Sequence, residues 1–380
     1  MFKRLVLVCA FAACLAISAD AKSDKSVKKF DHDFSAIVGK LDCVGGGVTV
    51  FKEGKKVYSK VFGQADRANE VKFTSSHKVM VTTVASPVPA IAVLQLCDNG
   101  KASLDADISE YLGFKIRNPK YPDTPITLRM LLDGTSSICL ESISTISSLN
   151  PAYVEAFSSA KPGSKFKASS VPYVIAAAIV EKLSGERFDI YAAKHIFEPM
   201  GITASYNPEN VGEGLLAHSY NWVARTSKYV NQKRAMAPLA LDGYVLGETT
   251  YCVRPANGLL MSIDDLSTML QTFMNSMVAP NGNRILSEAS ANEFLSPKAN
   301  KGKSCLGLIV NVSAVPDYPI TTISGSGSGS SAAIYFNVKD RIGMAVICNG
   351  SHDDSTDING NVGNHFNRDT RGAFTKNFIK

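Results

Sequence analysis

The segment GGGVTVFKEGKKVYSKVFGQAD, residues 45–66, predicts two β-strands joined by a tight turn near the start of the chain. Gly54 supplies the turn, and Val48, Val50 and Tyr58 suit a pleated, half-buried surface. Strand-like runs return only after about residue 303, as CLGLIVNV, PITTIS, AAIYFNV and IGMAVICN. Because strands lie at both ends with a long interval between them, we expect both ends to share one antiparallel sheet.

The interval between these strands is predicted to be mainly helical. Apolar stripes and stop signals mark helices over 88–98, 170–184 and 262–274, and a last helix over about 372–379 closes the chain. The sequence therefore predicts an α/β (α+β) fold in one domain, residues 22–380, with a sheet lobe of about 30–80 and 300–380 and a helical lobe of about 81–299. A cleft between two lobes is the usual place for a ligand. Pro89 is expected to disturb the first turn of the helix over 88–98.

The run GSGSGSS, residues 325–331, has the composition of a flexible linker. It lies between two strand-like runs, however, and the strand pattern continues beyond it. We therefore favour an ordered glycine-rich strand or turn that another part of the protein approaches closely, with a linker as the alternative.

The first residues are typical of a secretory signal peptide. Lys3 and Arg4 precede an apolar run over 5–17, and Ala19-Asp20-Ala21 matches a small-residue cleavage site. We expect cleavage after Ala21 and a secreted mature chain. The apolar run is shorter than the ~20 residues that span a bilayer, and no later run is long enough to predict a membrane span.

The charge pattern argues against a nucleic-acid partner. The formal net charge is +6, and much of the positive charge of the mature chain lies in Lys22, Lys25, Lys28 and Lys29. Such a cluster next to a cleavage site is typical of a solvated N-terminal tail. No basic stripe with interleaved aromatic residues follows it, so a nucleic-acid groove is not expected.

Six cysteines remain after the predicted cleavage: Cys43, Cys97, Cys139, Cys252, Cys305 and Cys348. An even number in a secreted chain favours disulfide bonds, but six cysteines allow 15 pairings and the sequence selects none of them. Two sequons, at Asn311 and Asn349, are candidate glycosylation sites. No metal site or cofactor is predicted, and DDSTDINGN, residues 353–361, is favoured as a solvated turn over a calcium loop.

Several segments follow one another in the order and with the spacing of the sequence motifs of a single protein family. They are GGGVTVFKEGKKVYSKVFGQAD, AIAVLQLCDNGKASLDADISEYL, ITLRMLLDGTSSI, PGSKF, AAAIVEKLSGERFDIYAAKHIFEPMGI, NGLLMSIDDLSTML and MAVICNG. The chain resembles the β-lactamase-related serine hydrolases, which include class C β-lactamases and D-Ala-D-Ala carboxypeptidases of the penicillin-binding-protein type. The resemblance covers nearly the whole mature chain and implies the fold of that family.

The resemblance implies a serine nucleophile and a lysine one helical turn later, as S-x-x-K, since the ammonium lowers the cost of removing the hydroxyl proton. Counting back 14 residues from Gly100 of the G-K-x-S-L-D motif places the lysine position at Ser86 and the nucleophile position at Thr83. A literal S-x-x-K also occurs, from Ser75 to Lys78, but it lies eight residues too early. We favour a polar loop there and keep it as the alternative placement.

Two further motifs of the family are also replaced. The Y-x-N motif, which follows P-G-x-x-F, falls on Ala168 and Ser170, and the H-x-G or K-T-G strand runs from Ile323 to Gly325. Ala168 cannot carry a proton, and Ser170 lacks the two-sided hydrogen bonding of an amide. The accessory histidine of L-L-x-H-T-S-G is Gly134.

These replacements predict a pseudoenzyme. Catalytic residues of this kind act as a unit, so losing several leaves little catalysis, whereas backbone N–H groups that bind an oxyanion do not depend on side chains. We expect a secreted protein that binds a small acyl or peptide ligand or a protein partner. Two alternatives stay open: a weak esterase or amidase that uses Thr83, and a structural or scaffold protein.

Overall fold

Most strands lie toward the two ends of the chain, inside an N-terminal and a C-terminal helix, and most of the other helices lie between them. The computed structural model describes residues 25–140, 142–150, 154–232, 237–299, 301–311, 318–352 and 365–379. The strands are β1 (Gly45–Lys52), β2 (Lys55–Asp66), β3 (Val71–Lys72), β4 (Val79–Met80), β5 (Ser219–Val223), β6 (Lys228–Gln232), β7 (Leu260–Met261), β8 (Ile309–Asn311), β9 (Ile320–Gly327), β10 (Ser330–Asn337) and β11 (Ile342–Cys348). The α-helices are α1 (Lys25–Lys40), α2 (Pro87–Asp98), α3 (Ile108–Leu112), α4 (Leu128–Leu132), α5 (Val171–Ser184), α6 (Phe188–Ala192), α7 (Glu198–Met200), α8 (Ile263–Met274), α9 (Glu288–Leu295) and α10 (His365–Phe378). The predicted signal peptide and the run 353–361 lie outside the described residues.

Seven strands form one antiparallel sheet in the order β3-β2-β1-β11-β10-β9-β8. The two ends of the chain meet where β1 pairs with β11, with Gly46 opposite Cys348 and Val50 opposite Met344. β11 pairs in turn with β10, and β10 with β9. The predicted antiparallel sheet of N- and C-terminal strands is therefore confirmed.

Both faces of this sheet are covered, which explains the unbroken apolar run of β11. On one face Val48 and Val346 share a core with Phe34 of α1 and Phe374 of α10. On the opposite face Ile347 belongs to the larger core, which includes α8 and the helices of the middle of the chain. Successive residues of a strand point to opposite faces, so a strand buried on both sides is apolar at every position.

Helices α2 and α5 pack against each other in the helical part. α5 ends at Gly185, whose φ of 75° is the left-handed conformation that suits a helix C-terminus. α2 begins at Pro87, so Pro89 lies in its first turn, where backbone N–H groups have no acceptor within the helix. The predicted disturbance by Pro89 is therefore wrong.

Two predictions about polar segments are corrected. Lys25, Lys28 and Lys29 are not a loose tail but exposed positions on α1, which buries Phe30 and Phe34 against the sheet. The linker alternative for residues 325–331 is also wrong, because β9 ends and β10 begins within this run and the two strands pair as a hairpin.

A buried ion pair attaches the start of α8 to the residue that precedes β4. Lys78 donates from Nζ to Asp265 Oδ2 (2.7 Å) and to Thr203 Oγ1 (2.8 Å), and both charged side chains are buried. Asp265 also accepts from the backbone N–H of Ser262 (2.9 Å), as the acidic member of a capping box. Burial alone would raise the pKa of Asp265, but the Lys78 ammonium and these hydrogen bonds outweigh burial and lower it.

Replacing Asp265 is expected to destabilise the protein strongly. Asp265→Asn leaves the Lys78 ammonium buried without a counter-charge, which costs about 3–5 kcal/mol of unfolding free energy. Asp264→Asn, at an exposed position of the same turn, is the matched control and should cost about 0.5 kcal/mol or less. Denaturant unfolding measures both changes.

The same variant has a predicted pH dependence. Because the folded-state pKa of Asp265 is lowered, its contribution is present above the unfolded pKa of about 4 and is lost as the pH falls through the folded pKa. The stability difference between the wild type and Asp265→Asn should therefore shrink below about pH 4. A variant as stable as the wild type at pH 7 would show that the ion pair contributes no net stability.

Candidate functional site

A cavity of about 340 Å³ lies between β9, the N-terminal end of α2 and the segment before α5. Its lining includes residues selected from the sequence: Thr83, Ser86, Ala168, Ser170 and Ile323. Gly325, the other end of the predicted H-x-G or K-T-G strand, lies in β9 against the turn that carries Thr83. The structure thus brings together positions from three distant parts of the chain.

The turn before α2 presents Thr83 to this cavity. Thr82–Ala85 form a 3₁₀ turn, in which Thr83 is exposed and its neighbours are buried. Thr82 has a φ of 50°, a left-handed conformation that costs a residue with a side chain on the order of 1–2 kcal/mol. Thr82 Oγ1 is buried and has no hydrogen-bond partner in the described part of the chain. The turn is therefore strained, and the packing around it maintains its shape.

Gly325 allows β9 to approach this turn closely. A Cβ atom at position 325 would lie 2.2 Å from Thr82 Oγ1 and 2.6 Å from Thr83 N, which is too close for any side chain. Asn367 of α10 supports this part of β9, since its Nδ2 donates to Gly325 O (3.1 Å) and to Ala332 O (2.9 Å). The backbones of Thr83 and β9 therefore meet at the cavity wall.

The position expected to carry a lysine is occupied by a buried hydroxyl. Ser86 is 3% exposed, and its Oγ donates to Gly307 O (3.2 Å). A Cβ atom at Gly307 would lie 2.9 Å from Ser86 O, so the loop that contains Gly307 packs directly on this residue. The site of Ser86 is therefore tightly enclosed.

Packing explains the glycine at the accessory histidine position. Gly134 has a φ of 77°, and a Cβ atom there would lie 2.6 Å from the Phe166 ring. Lys167 N donates to Gly134 O (2.8 Å) and fixes the two segments to each other. Phe166 thus occupies the space that a side chain at position 134 would need.

Lys167 is the one formally charged side chain in the described lining of the cavity. The other polar lining groups are the Asn257 amide and a set of hydroxyls: Thr83, Ser86, Ser169, Ser170, Tyr173, Ser304, Thr322 and Ser324. Burial raises the pKa of the Tyr173 phenol, so Tyr173 is protonated at neutral pH, and its Oη donates to Leu132 O (3.3 Å). The described lining thus contains hydroxyls and one ammonium group, but neither a carboxylate nor an imidazole.

The sequence motifs miss several of the lining residues, among them Lys167, Tyr173, Asn257 and Ser304. Lys167 and Tyr173 flank Ala168 and Ser170, so extending that motif by one helical turn would have found them. Asn257 belongs to the NGLLMSIDDLSTML segment, but no spacing rule connects that segment to the cavity. Ser304 lies in a loop without any motif.

The alternative placement of the S-x-x-K motif is wrong. Neither Ser75 nor Lys78 belongs to the described lining of the cavity, and the Lys78 ammonium is held by Asp265 at 2.7 Å. A lysine that is buried in an ion pair cannot activate a hydroxyl in the cavity.

The structure places the two predicted glycosylation sites differently. Asn349 is fully buried and its Nδ2 donates to Gln64 O (3.0 Å) and His218 O (2.8 Å), so a glycan cannot be attached there in the folded protein. The sequon at Asn311 lies in β8 and stays a prediction. Among the described residues, no helix has the length and apolar character needed to cross a membrane, and no cluster of His, Cys, Asp or Glu is placed to bind a metal.

Comparison with known proteins assigns a family to this architecture. The family model described as Beta-lactamase matches residues 30–364. The chain belongs to the β-lactamase family. A solved class C β-lactamase is similar to this chain with a TM-score of 0.71 at 17% identity, and covers 95% of this chain and 98% of its own. An octameric penicillin-binding protein homologue from Pyrococcus abyssi also has a TM-score of 0.71, at 21% identity over 86% of this chain and 74% of its own.

Relatives in this β-lactamase family differ in how much of their length is matched. Penicillin-binding protein 4 of Amycolatopsis lactamdurans is 25% identical over 276 residues, which is 69% of each chain. Other curated relatives are matched over less than half of their own length, 46% for a Bacillus subtilis protein and 35% for the protein flp of Staphylococcus aureus. The solved structures establish the β-lactamase fold, and the activity of this chain is a separate question.

Adding a methyl group at Gly325 is expected to separate β9 from the Thr83 turn. Gly325→Ala should lower the unfolding free energy by about 1–3 kcal/mol, because the clash is with backbone and with a buried hydroxyl. Gly372→Ala is the matched control: it lies in α10 with no atom near its Cβ position and should stabilise the protein by about 0.5–1 kcal/mol. Equal effects of the two substitutions in thermal or denaturant unfolding would contradict the close approach.

Proposed function

We propose that this protein is a secreted, catalytically degenerate member of the β-lactamase family that binds a small acyl or peptide ligand without turning it over. The identity of the residues that line the cavity supports this proposal. Thr83, Ser86, Ala168 and Ile323 line the cavity at the positions where the family resemblance implies a nucleophile, a lysine, a tyrosine and a cation. Secretion rests on the predicted signal peptide, residues 1–21.

Turnover needs a group that removes the proton of the nucleophile. Ser86 is a neutral hydroxyl and already donates to Gly307 O (3.2 Å), so it does not act as a base near neutral pH. Ala168 has no acceptor, and the protonated Tyr173 donates to Leu132 O (3.3 Å). The Thr83 hydroxyl therefore lacks the activation on which covalent catalysis depends.

Ligand binding requires an apolar wall and hydrogen-bonding groups but no activating base. Phe166, Leu308 and Ile323 give the wall an apolar part, while the hydroxyls and the Lys167 ammonium supply hydrogen-bond donors. Ligand sites typically combine such an apolar wall with a few polar groups, and ~300 Å³ is the small end of their range. The cavity therefore suits a short acyl chain that carries a carbonyl or carboxylate group.

One observation favours a second candidate function, a weak esterase or amidase. The exposed Thr83 and the amine of Lys167 line the same cavity, and lysine is one of the side chains that serve as general bases in enzymes. In that case Lys167→Met and Thr83→Ala would each abolish hydrolysis of a chromogenic ester. Under the leading proposal, neither variant changes the rate from that of the buffer.

Covalent labelling tests the absence of turnover. The full-length mature chain, treated with a fluorescent penicillin and with a fluorophosphonate, should give no labelled band, because Thr83 has no activating base. A catalytically active class C β-lactamase treated in parallel is the positive control. Labelling that disappears in Thr83→Ala would overturn the pseudoenzyme proposal.

Filling the cavity should weaken ligand binding without disturbing the fold. We expect N-acetyl-D-alanine, a small acyl carboxylate, to raise the melting temperature of the wild type, because a ligand that binds only the folded state stabilises it. Ala168→Trp places a large side chain in the cavity and should weaken binding at least about tenfold, a loss of about 1.4 kcal/mol. Ser164→Trp, at an exposed position outside the lining, should bind like the wild type.

The same titration separates the binder from the scaffold. If a panel of acyl carboxylates gives no thermal shift with the wild type, the ligand-binding proposal fails and the scaffold alternative is favoured. If Ala168→Trp and Ser164→Trp bind equally well, the ligand occupies a different site.

A further inference from the structure

Two cysteines that are about 300 residues apart in the sequence meet at one corner of the sheet. Cys348 is the last residue of β11, and Cys43 lies between α1 and β1. Both pack in the core that α1 and α10 form against the sheet, with Cys348 buried and Cys43 partly exposed. They are thiols in the structure.

Backbone hydrogen bonds hold the segment that contains Cys43 against the residues that follow Cys348. His352 N donates to Leu41 O (2.6 Å) and Val44 N donates to Gly350 O (2.8 Å), so hydrogen bonds bracket Cys43 on both sides. Cys348 Sγ donates to Gly350 O (3.0 Å), the carbonyl that also accepts from Val44 N. Neither segment can therefore slide relative to the other without breaking the end of the β1–β11 ladder.

The Cys43 and Cys348 side chains belong to the same packed cluster at this corner. A hydrogen bond to the Cys348 thiol, together with burial, raises the pKa of the Cys43 thiol well above its ordinary value. The fold therefore brings these two side chains together although about 300 residues separate them in the sequence.

We propose that Cys43 and Cys348 form a structural disulfide bond that joins the segment before β1 to the end of β11. The bond forms by thiol–disulfide exchange, in which oxidised glutathione or another small disulfide is the oxidant. One of the two protein thiols loses its proton and attacks the glutathione disulfide, which releases one glutathione thiol. The other protein thiol then attacks the mixed disulfide at the protein sulfur and releases the second glutathione, so two protein thiols are oxidised and one small disulfide is reduced to two thiols.

Peptide mapping tests this pairing directly. Cleavage after lysine and arginine places Cys43 in the peptide 41–52 and Cys348 in the peptide 342–368, and each of these peptides contains a single cysteine. The reduced full chain is incubated with oxidised glutathione under native conditions, alkylated and digested without reductant. We expect the linked pair of 41–52 and 342–368, which reductant converts into the two separate peptides. This uses purified protein, so its outcome does not depend on whether the chain is secreted or binds a ligand.

Matched variants separate the pairing from general oxidation. Cys43→Ser and Cys348→Ser should each abolish the linked peptide, whereas Cys97→Ser should leave it unchanged. The melting temperature of the oxidised wild type should fall by about 5 °C on reduction, and that of Cys43→Ser should fall by clearly less. Recovery of both peptides fully alkylated, or of either cysteine linked to a different one, would overturn the proposal.

Discussion

The antiparallel pairing of β1 with β11 is the interaction on which the rest of the structure depends. It joins segments about 300 residues apart in the sequence, and the entropy of closing such a loop must be offset by burial. Both faces of the two strands are covered, by α1 and α10 on one side and by α8 with the large core on the other. β11 then positions β10, and β10 positions β9, so the wall of the cavity is placed by this one pairing.

The cavity is shaped by a contact between two backbones. Gly325 has no Cβ, which lets β9 approach Thr83 N, and Thr82 adopts a left-handed conformation at the same point. Strain of this kind costs about 1–3 kcal/mol and persists only where the surrounding structure determines it. The strained turn is present here although Ser86 and Ala168 offer no acid–base group. The shape of the turn is therefore maintained by packing and does not require catalytic side chains.

The parts of the protein that could be predicted from the sequence are those with local periodicity or fixed spacing. The sheet followed from strand-like runs at both ends, and Thr83 and Ser86 followed from their spacing to Gly100, because α2 is a helix of fixed rise. α1 was missed because Phe30 and Phe34 are its only fully buried anchors among many charged residues. The burial of Asn349 could not be predicted either, since a sequon is a local pattern and burial depends on residues such as Gln64 and His218 that are distant in the sequence.

The placement of charge in the cavity gives a second physical argument for the proposed binding without turnover. The family resemblance implies a cation on the β9 wall, but that wall carries Ile323, and the ammonium of the described lining belongs to Lys167 in the segment before α5. An anionic ligand is attracted to the wall that bears the ammonium, and its apolar part is left to pack against Ile323. Transition-state stabilisation requires donors aimed at the atom where charge develops. A ligand that is oriented by Lys167 gains its electrostatic energy in the ground state, and such uniform binding strengthens association without lowering the barrier to reaction.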